Sequence, residues 1–404
     1  MHWKGMTRFC VLALLSAFMV NAFATYTIVH RRTFNLNATF PGAEAIGDVA
    51  FDGQNVYVSS WHNGSGQQTV RLVQVGSIAT LLNTPSGALT PSGWTATTTA
   101  FAAARDTRLV YYDGHLYWGA GLGQASTNPL DTGIRRVSTT GTTDSSWSGG
   151  VLLPNELDPA PTPQRFDTID IDPRGPALGV GVFGSSIIRR HDLTTGAAIV
   201  PAPSAIGNLP TNGVNTRDIA FRPDGGVYVR YNSASGTGAA GIYFAPRNAD
   251  GTFGPATSVV TWNEGALQQA FVAYIPVNEV FYSGFSSLVL YNQRISGQNF
   301  VFIHNVGNGA PIAITQLDGT EPVLDGDNPR TFQNTFLNAS WGLWNGRLFI
   351  FVVNGFTGVG SDTGYTGTIS FDRLDIYEVV PEPSSMLALG AGAALMGLLR
   401  RRKR

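Results

Sequence analysis

Asp218-Ile-Ala-Phe-Arg-Pro-Asp-Gly-Gly-Val-Tyr-Val-Arg230 reads as an antiparallel hairpin. Asp218 to Phe221 alternates outward and inward, and Pro223-Asp224-Gly225-Gly226 supplies a turn with φ fixed at proline and free at glycine. Val227 to Tyr231 then returns as a β-branched and aromatic strand. A single hairpin cannot bury its own apolar face. Copies of the phrase are therefore expected, since stacked units build one core between them.

Five copies follow from the same reading. Asp48-Val-Ala-Phe-Asp-Gly-Gln-Asn-Val-Tyr-Val58 and Leu109-Val-Tyr-Tyr-Asp-Gly-His-Leu-Tyr-Trp118 are the nearest. Thr168 to Gly175, Phe271 to Tyr282 and Trp341 to Phe351 are looser. Each is followed by a third strand: Thr69–Val75, Gly133–Ser138, Ser186–His191, Gly241–Phe244, Ser287–Tyr291 and Thr368–Phe371. Six four-stranded units of this kind predict an all-β fold, a six-bladed β-propeller spanning 25–380. A two-sheet sandwich is the alternative, but it has no need to repeat one phrase six times. The sixth unit runs out at Ile376-Tyr-Glu-Val-Val380, whereas the chain starts with an orphan strand, Thr25 to Phe34. Pairing the two would close the ring and leave no open edge.

Composition agrees with an exported β-protein. The 404 residues are 43% apolar and 13% charged, with 48 Gly and 22 Pro, which is turn-rich and neither disordered nor highly charged. Residues 1–24 read as a secretory signal peptide: Lys4 and Arg8, an apolar stretch Phe9 to Val20, and Ala22-Phe-Ala24 as the small-x-small site, with cleavage after Ala24. The one cysteine, Cys10, leaves with it, which excludes disulfides, thiolate metal sites and cysteine nucleophiles from the mature chain. The only lysines, Lys4 and Lys403, lie in the tails, so Schiff-base and phosphate-loop chemistry is excluded too. Without the tails, nineteen basic residues stand against twenty-six acidic ones. A domain that acidic is a poor partner for nucleic acid, whose phosphates need basic patches.

Motifs for chemistry are sparse. Gly179-Val-Gly-Val-Phe-Gly184 fits a dinucleotide string, but it sits inside a β repeat with no helix after it. His30, His62, His115, His191 and His304 are scattered singly. Asp325-Gly-Asp327-Asn328 resembles the opening of a calcium loop, which makes Ca2+ a candidate, though the downstream bidentate glutamate is absent and a solvated turn is the alternative. Asp48 and Asp218 open equivalent inner strands, with Asp167 and Asp170 close to the matching place in the third unit. In a propeller such carboxylates ring the channel mouth, where they either hold a metal or hydrogen-bond neighbouring backbone. The tryptophans Trp61, Trp94, Trp118, Trp147, Trp262, Trp341 and Trp344 are expected mostly in blade packing. Three irregular stretches, Pro85–Ala104, Pro154–Gln164 and Gly307–Asn334, are the candidate binding loops.

The C-terminus carries the most specific signal. Pro381-Glu382-Pro383 is followed by the apolar run Met386 to Leu399 and then by Arg400-Arg401-Arg402-Lys403-Arg404. Fourteen residues of helix span about 21 Å, short of a hydrocarbon core of about 30 Å. Snorkelling arginines and flanking serines make up the difference, so a single transmembrane helix over 386–399 with a cytoplasmic basic end is expected.

This tripartite end resembles the PEP-CTERM sorting signal of Gram-negative bacteria. The resemblance covers residues 381–404 and implies an exported, inner-membrane-anchored precursor, an exosortase-type partner acting at the tripeptide, and a destination at the cell surface or in an exopolysaccharide biofilm matrix. The repeat phrase separately resembles NHL-type six-bladed propellers. Two functions of different class follow. One is a non-enzymatic surface or matrix protein that binds polysaccharide or protein through its loops and carries exposed Trp and Tyr there. The other is a metal-dependent, lactonase-like propeller hydrolase using Asp48, Asp170 and Asp218 around a channel cation that activates water.

Overall fold

The computed structural model describes residues 26–40, 44–62, 67–101, 106–122, 133–152, 166–182, 186–199, 204–210, 216–231, 239–263, 270–281, 286–295, 298–306, 315–316, 336–359 and 368–381. These form strands throughout, apart from short turns of helix such as Ile78–Asn83.

In chain order the strands build six sheets. After β1 (Tyr26–Asn35), the first sheet holds β2 (Glu44–Phe51), β3 (Asn55–His62), β4 (Gln67–Ser77) and β6 (Thr95–Phe101); β5 (Gly87–Ala88) crosses to pair with β1. The second is β7 (Asp106–Tyr112), β8 (His115–Leu122) and β9 (Gly133–Ser138). The third is β10 (Phe166–Asp172), β11 (Ala177–Val182), β12 (Ile187–Asp192) and β13 (Ser204–Ala205). The fourth, from the founding phrase, is β14 (Thr216–Phe221), β15 (Val227–Tyr231), β16 (Ala239–Ala245) and β17 (Thr257–Asn263). The fifth is β18 (Val272–Ile275), β19 (Ser287–Ile295), β20 (Gln298–Val306) and β21 (Thr315–Gln316). The last is β22 (Phe336–Trp344), β23 (Arg347–Val359) and β24 (Thr368–Pro381).

The first strands of the sheets touch in the cyclic order β2, β7, β10, β14, β18, β22 and back to β2. Six apolar clusters fill the six gaps between adjacent sheets. Phe51, Val58, Phe351 and Ile376 join the last sheet to the first, for example, and Tyr117, Trp147, Ile169 and Val180 join the second to the third. This is the ring of a β-propeller, with its core distributed between blades. Trp118 and Trp147 are buried in these clusters, Trp94, Trp262, Trp341 and Trp344 are packed half-buried against them, and Trp61 is buried beside Ala45.

The ring closes as the sequence suggests. β1 pairs antiparallel with β24 from Tyr26↔Pro381 to Asn35↔Arg373, making the N-terminal strand the fourth of the last sheet. Arg31 and Arg347 both hold Glu378, at 2.7 and 2.6 Å, tying three strands at the closing seam. The predicted turns also form. Asp113-Gly114 and Asn345-Gly346 have positive φ at both positions, as two-residue hairpin turns that match strand twist require.

Three expectations shift. Pro85–Ala104 is not a free loop, because Thr95–Phe101 pairs with β4 along Gln67–Val73 as the outer strand of the first sheet. In the fifth unit the expected return strand Glu279–Tyr282 is not a strand over its described residues. Val277–Phe281 forms a π-helical turn after Pro276, whose carbonyl accepts the Val280 N–H, and Ser287–Ile295 is the second strand rather than the third. Gly179 and Gly181 lie within β11; a Cβ there would strike Phe221 and Thr168, so close packing explains the glycine string. The signal peptide with Ala22 and Ala24, the candidate loop Asp325, Asp327 and Asn328, and the tail from Glu382 and Pro383 through Arg400, Arg401 and Arg402 lie outside the described residues. Among those described, no helix is long and apolar enough to cross a membrane.

Candidate functional site at the channel

The innermost strand of each sheet has one edge without a ladder partner, and its backbone donors need acceptors. Three carboxylates supply them. Asp48 Oδ1 accepts the Val49 N–H at 2.7 Å and its Oδ2 accepts the Leu109 N–H of the next sheet at 2.7 Å. Asp218 Oδ1 accepts the Ile219 N–H at 3.0 Å and the Thr168 hydroxyl, while its Oδ2 accepts the Val272 N–H of the next sheet at 2.9 Å. Asp170 accepts the Ile171 N–H at 2.8 Å and the Phe221 N–H at 2.7 Å. The matching position in the third sheet is held by Thr168, which faces the Ile219 N–H at 3.3 Å, so Asp170 repeats the device two residues nearer the hairpin turn.

Arg108 is the residue the sequence reading passes over. It is 3% exposed and stands on β7. Its Nη1 donates to Asn338 Oδ1 at 2.6 Å and lies 3.8 Å from Asp218 Oδ2, and its Nη2 donates to the Arg217 and Ala270 carbonyls at 3.0 and 3.2 Å. Asn338 in turn donates to the Gly47 carbonyl at 2.8 Å. One guanidinium thus links the second, fourth and sixth sheets and the approach to the fifth, across the middle of the ring. The one sequence sign is a charged residue inside the apolar run Thr107-Arg-Leu-Val-Tyr111.

Asp48, Asp170, Asp218, Arg108 and Asn338 line a cavity of about 610 Å³ that extends along the inner strands to their hairpin turns, where Tyr111, Tyr112, Pro173, Pro223, Val280 and Trp341 surround it. Burial raises the Asp48 carboxyl to about 8, against the opposing pull of Arg108 and two N–H donors. Asp170 is raised to about 7, also by burial, and Asp218 is raised by burial against Arg108. Thus the three predicted carboxylates share a cavity, but each is bonded to a different neighbour. Among the described residues no group of three His, Cys, Asp or Glu side chains is placed to hold one ion.

The class these features define is an all-β propeller with a buried polar cross-link at its centre. Residues 379–404 match the family model described as the PEP-CTERM protein-sorting motif, which implies export, a membrane-anchored precursor and processing by an exosortase-type enzyme. No curated protein sequence matches the chain. The fold is similar to a protein of unknown function from Dyadobacter fermentans, with TM-score 0.50 and 11% identity, covering 87% of this chain and 99% of that one. It is also similar, at lower scores, to the periplasmic gluconolactonase of Pseudomonas aeruginosa (TM-score 0.41, 11% identity, 88% and 99% covered). The β-propeller domain of Myceliophteria thermophila Cps50 (Swd1) gives TM-score 0.39 at 11% identity, with 83% of each chain covered.

Proposed function

We propose that this chain is a six-bladed propeller, sorted through its PEP-CTERM end to the cell surface or matrix and acting there as a non-enzymatic binding or structural protein of the exopolysaccharide layer. The observation that carries the reading is the match of residues 379–404 to the sorting motif. The bonding of the channel carboxylates supports a non-catalytic centre, because each carboxylate already accepts one N–H on each oxygen and is held towards its own strand and its neighbour's rather than towards a common point. The stretches Pro154–Gln164 and Gly307–Asn334, the second interrupted by β21, are the proposed glycan-facing segments, with calcium at Asp325, Asp327 and Asn328 as a stabiliser of the second.

The test is the mass of the mature protein from its native host together with its metal content. A C-terminus ending near Pro381–Pro383, with any stoichiometric metal being calcium that is lost in Asp325→Asn and kept in Asp48→Asn, supports the reading; a mature surface form that keeps Arg404 refutes the processing step. The shared cavity of Asp48, Asp170 and Asp218, with carboxyls raised towards neutrality, favours the second reading, a metal-dependent lactonase-like hydrolase. A stoichiometric channel metal lost in Asp48→Asn would establish it.

A further inference from the structure

The chain leaves the ring at the face where the channel cavity reaches its hairpin turns. β22 ends at the Asn345-Gly346 turn, β23 starts at Arg347, and Leu348 pairs with Val379 in the ladder to β24. Pro381 therefore lies level with that turn. Tyr26 pairs with Pro381, so the segment preceding β1 leaves at the same place. Four residues, Glu382 to Ser385, separate Pro381 from the apolar run that begins at Met386. Fully extended, that link reaches about 17 Å. Inner strands of up to nine residues, at about 3.3 Å per residue, make the ring about 25–30 Å tall, so the apolar run cannot reach the opposite face.

The same face carries an unusual surface. Val280 and Leu343, 40% and 37% exposed, are the two exposed large hydrophobic side chains among the described residues. Val280 stands at the cavity mouth and Leu343 two residues before the Asn345-Gly346 turn. Half-buried Tyr111, Tyr112 and Trp341 line the cavity with Val280, each packed on one side against a cluster between sheets. Tyrosine and tryptophan with scattered aliphatics are what the bilayer interface accommodates, one end of each ring apolar and the other wet.

We infer that this hairpin-turn face is the membrane-apposed face of the anchored precursor, with Val280, Leu343 and the aromatic collar resting on the lipid headgroup layer and the channel mouth closed against it. The inference rests on the sorted, membrane-anchored precursor proposed above. The ectodomain's acidic excess opposes adsorption to anionic lipid, so contact depends on the tether, whose short length gives a high effective concentration at the surface. Processing near Pro381 then frees the face, and the cavity opens only on the mature protein.

The test uses the full chain with Cys10→Ser, carrying one cysteine at a time at Val280, Leu343 or Thr69, each labelled with an environment-sensitive dye. Thr69 is exposed near the start of β4, at the opposite end of the ring. The protein is reconstituted into vesicles of phosphatidylethanolamine and phosphatidylglycerol containing a brominated phospholipid. Blue-shifted emission and several-fold stronger bromine quenching at 280 and 343 than at 69 support the inference. If the chain floats with the vesicles but the 280 and 343 dyes stay in water, the face is not apposed, although the anchored precursor stands. Dyes shielded without bromine quenching indicate a protein occupant, a second copy or the chain's own tail, and overturn it as well. A chain that does not float with vesicles removes the anchored precursor, and the inference falls with it.

Discussion

Replacing Arg108 by methionine keeps the aliphatic stem and deletes the charge that links β7 to Asp218, Asn338 and the Arg217 and Ala270 carbonyls. Removing one partner of a buried, hydrogen-bonded ion pair costs about 3–5 kcal/mol. An unfolding entropy of about 2.1 cal/mol/K per residue over about 350 residues gives roughly 0.7 kcal/mol/K, so the Tm should fall by about 4–7 °C. A pH signature separates this from simple loss of packing. Arg108 pulls the Asp48 and Asp218 carboxyls down against burial, so without it both hold protons more tightly and their ionisation is more costly. The deficit should therefore be flat while Asp48 is protonated in both proteins and widen as pH rises through about 8, read from pH 6 to pH 9. Thermal melts followed by near-UV circular dichroism across that range, on parent, Arg108→Met and Arg108→Met/Asp218→Asn, make the assay. The double variant should recover part of the loss, because the two sites couple through contact. A shift under about 1 °C, or a deficit that ignores pH and persists unchanged in the double variant, would refute a charge-based strut at the channel.

The unaltered protein should itself lose stability as pH rises. Burial holds Asp48 at about 8 and Asp170, Asp372 and Asp375 at about 7, whereas the unfolded chain releases those protons near 4. The native state then binds more protons between these limits, so stability is greatest at the acid side of the window and declines from about pH 4 to 8; a Tm that climbs over that range would contradict it. Removing residues 26–35 should expose the whole edge of β24 and leave Glu378 without Arg31. Loss of cooperative unfolding and concentration-dependent association in size-exclusion chromatography are expected, since an open apolar edge templates pairing; a monomeric, cooperatively folding product would count against strand-exchange closure.

How much could be read beforehand depended on whether the deciding interaction was local. The hairpins at Asp113-Gly114 and Asn345-Gly346 were legible because a two-residue turn demands positive φ, which those residue types tolerate. Closure by β1 was legible because an orphan strand and an unfinished unit are complementary faults. The fifth unit misled. Glu279 to Tyr282 has strand-like composition, yet Pro276 starts a helical turn there, and the Tyr274 hydroxyl at 2.6 Å fixes Glu279 in place. Register was legible but outweighed by residue type: counting back five residues from Pro173 and Pro223 sets Thr168, not Asp170, opposite Asp218, and the cross-sheet bonds follow that register. Arg108 carried only the sign of a charge inside an apolar run, which does not tell its role, since its four partners are 109 to 230 residues away.

The channel carboxylates illustrate why residue type and approximate position underdetermine chemistry in this fold. A ring of strands leaves an inner edge of backbone N–H groups facing each neighbour across a gap too wide for a direct ladder, and each unmet buried donor costs about 1–3 kcal/mol. A carboxylate on one strand, two oxygens wide, meets its own following N–H and the neighbour's together, as Asp48, Asp170 and Asp218 do. Three acids at one mouth are thus produced by the geometry of blade docking alone, whether or not an ion is ever bound. Their convergence is evidence for a metal only where an oxygen remains free and aimed at a common point. On the proposed non-enzymatic reading, a centre braced by its own polar groups leaves binding to the two faces. One face is fixed by the exit of both chain ends; the other is formed by the far ends of the inner strands and the segments that join the sheets there.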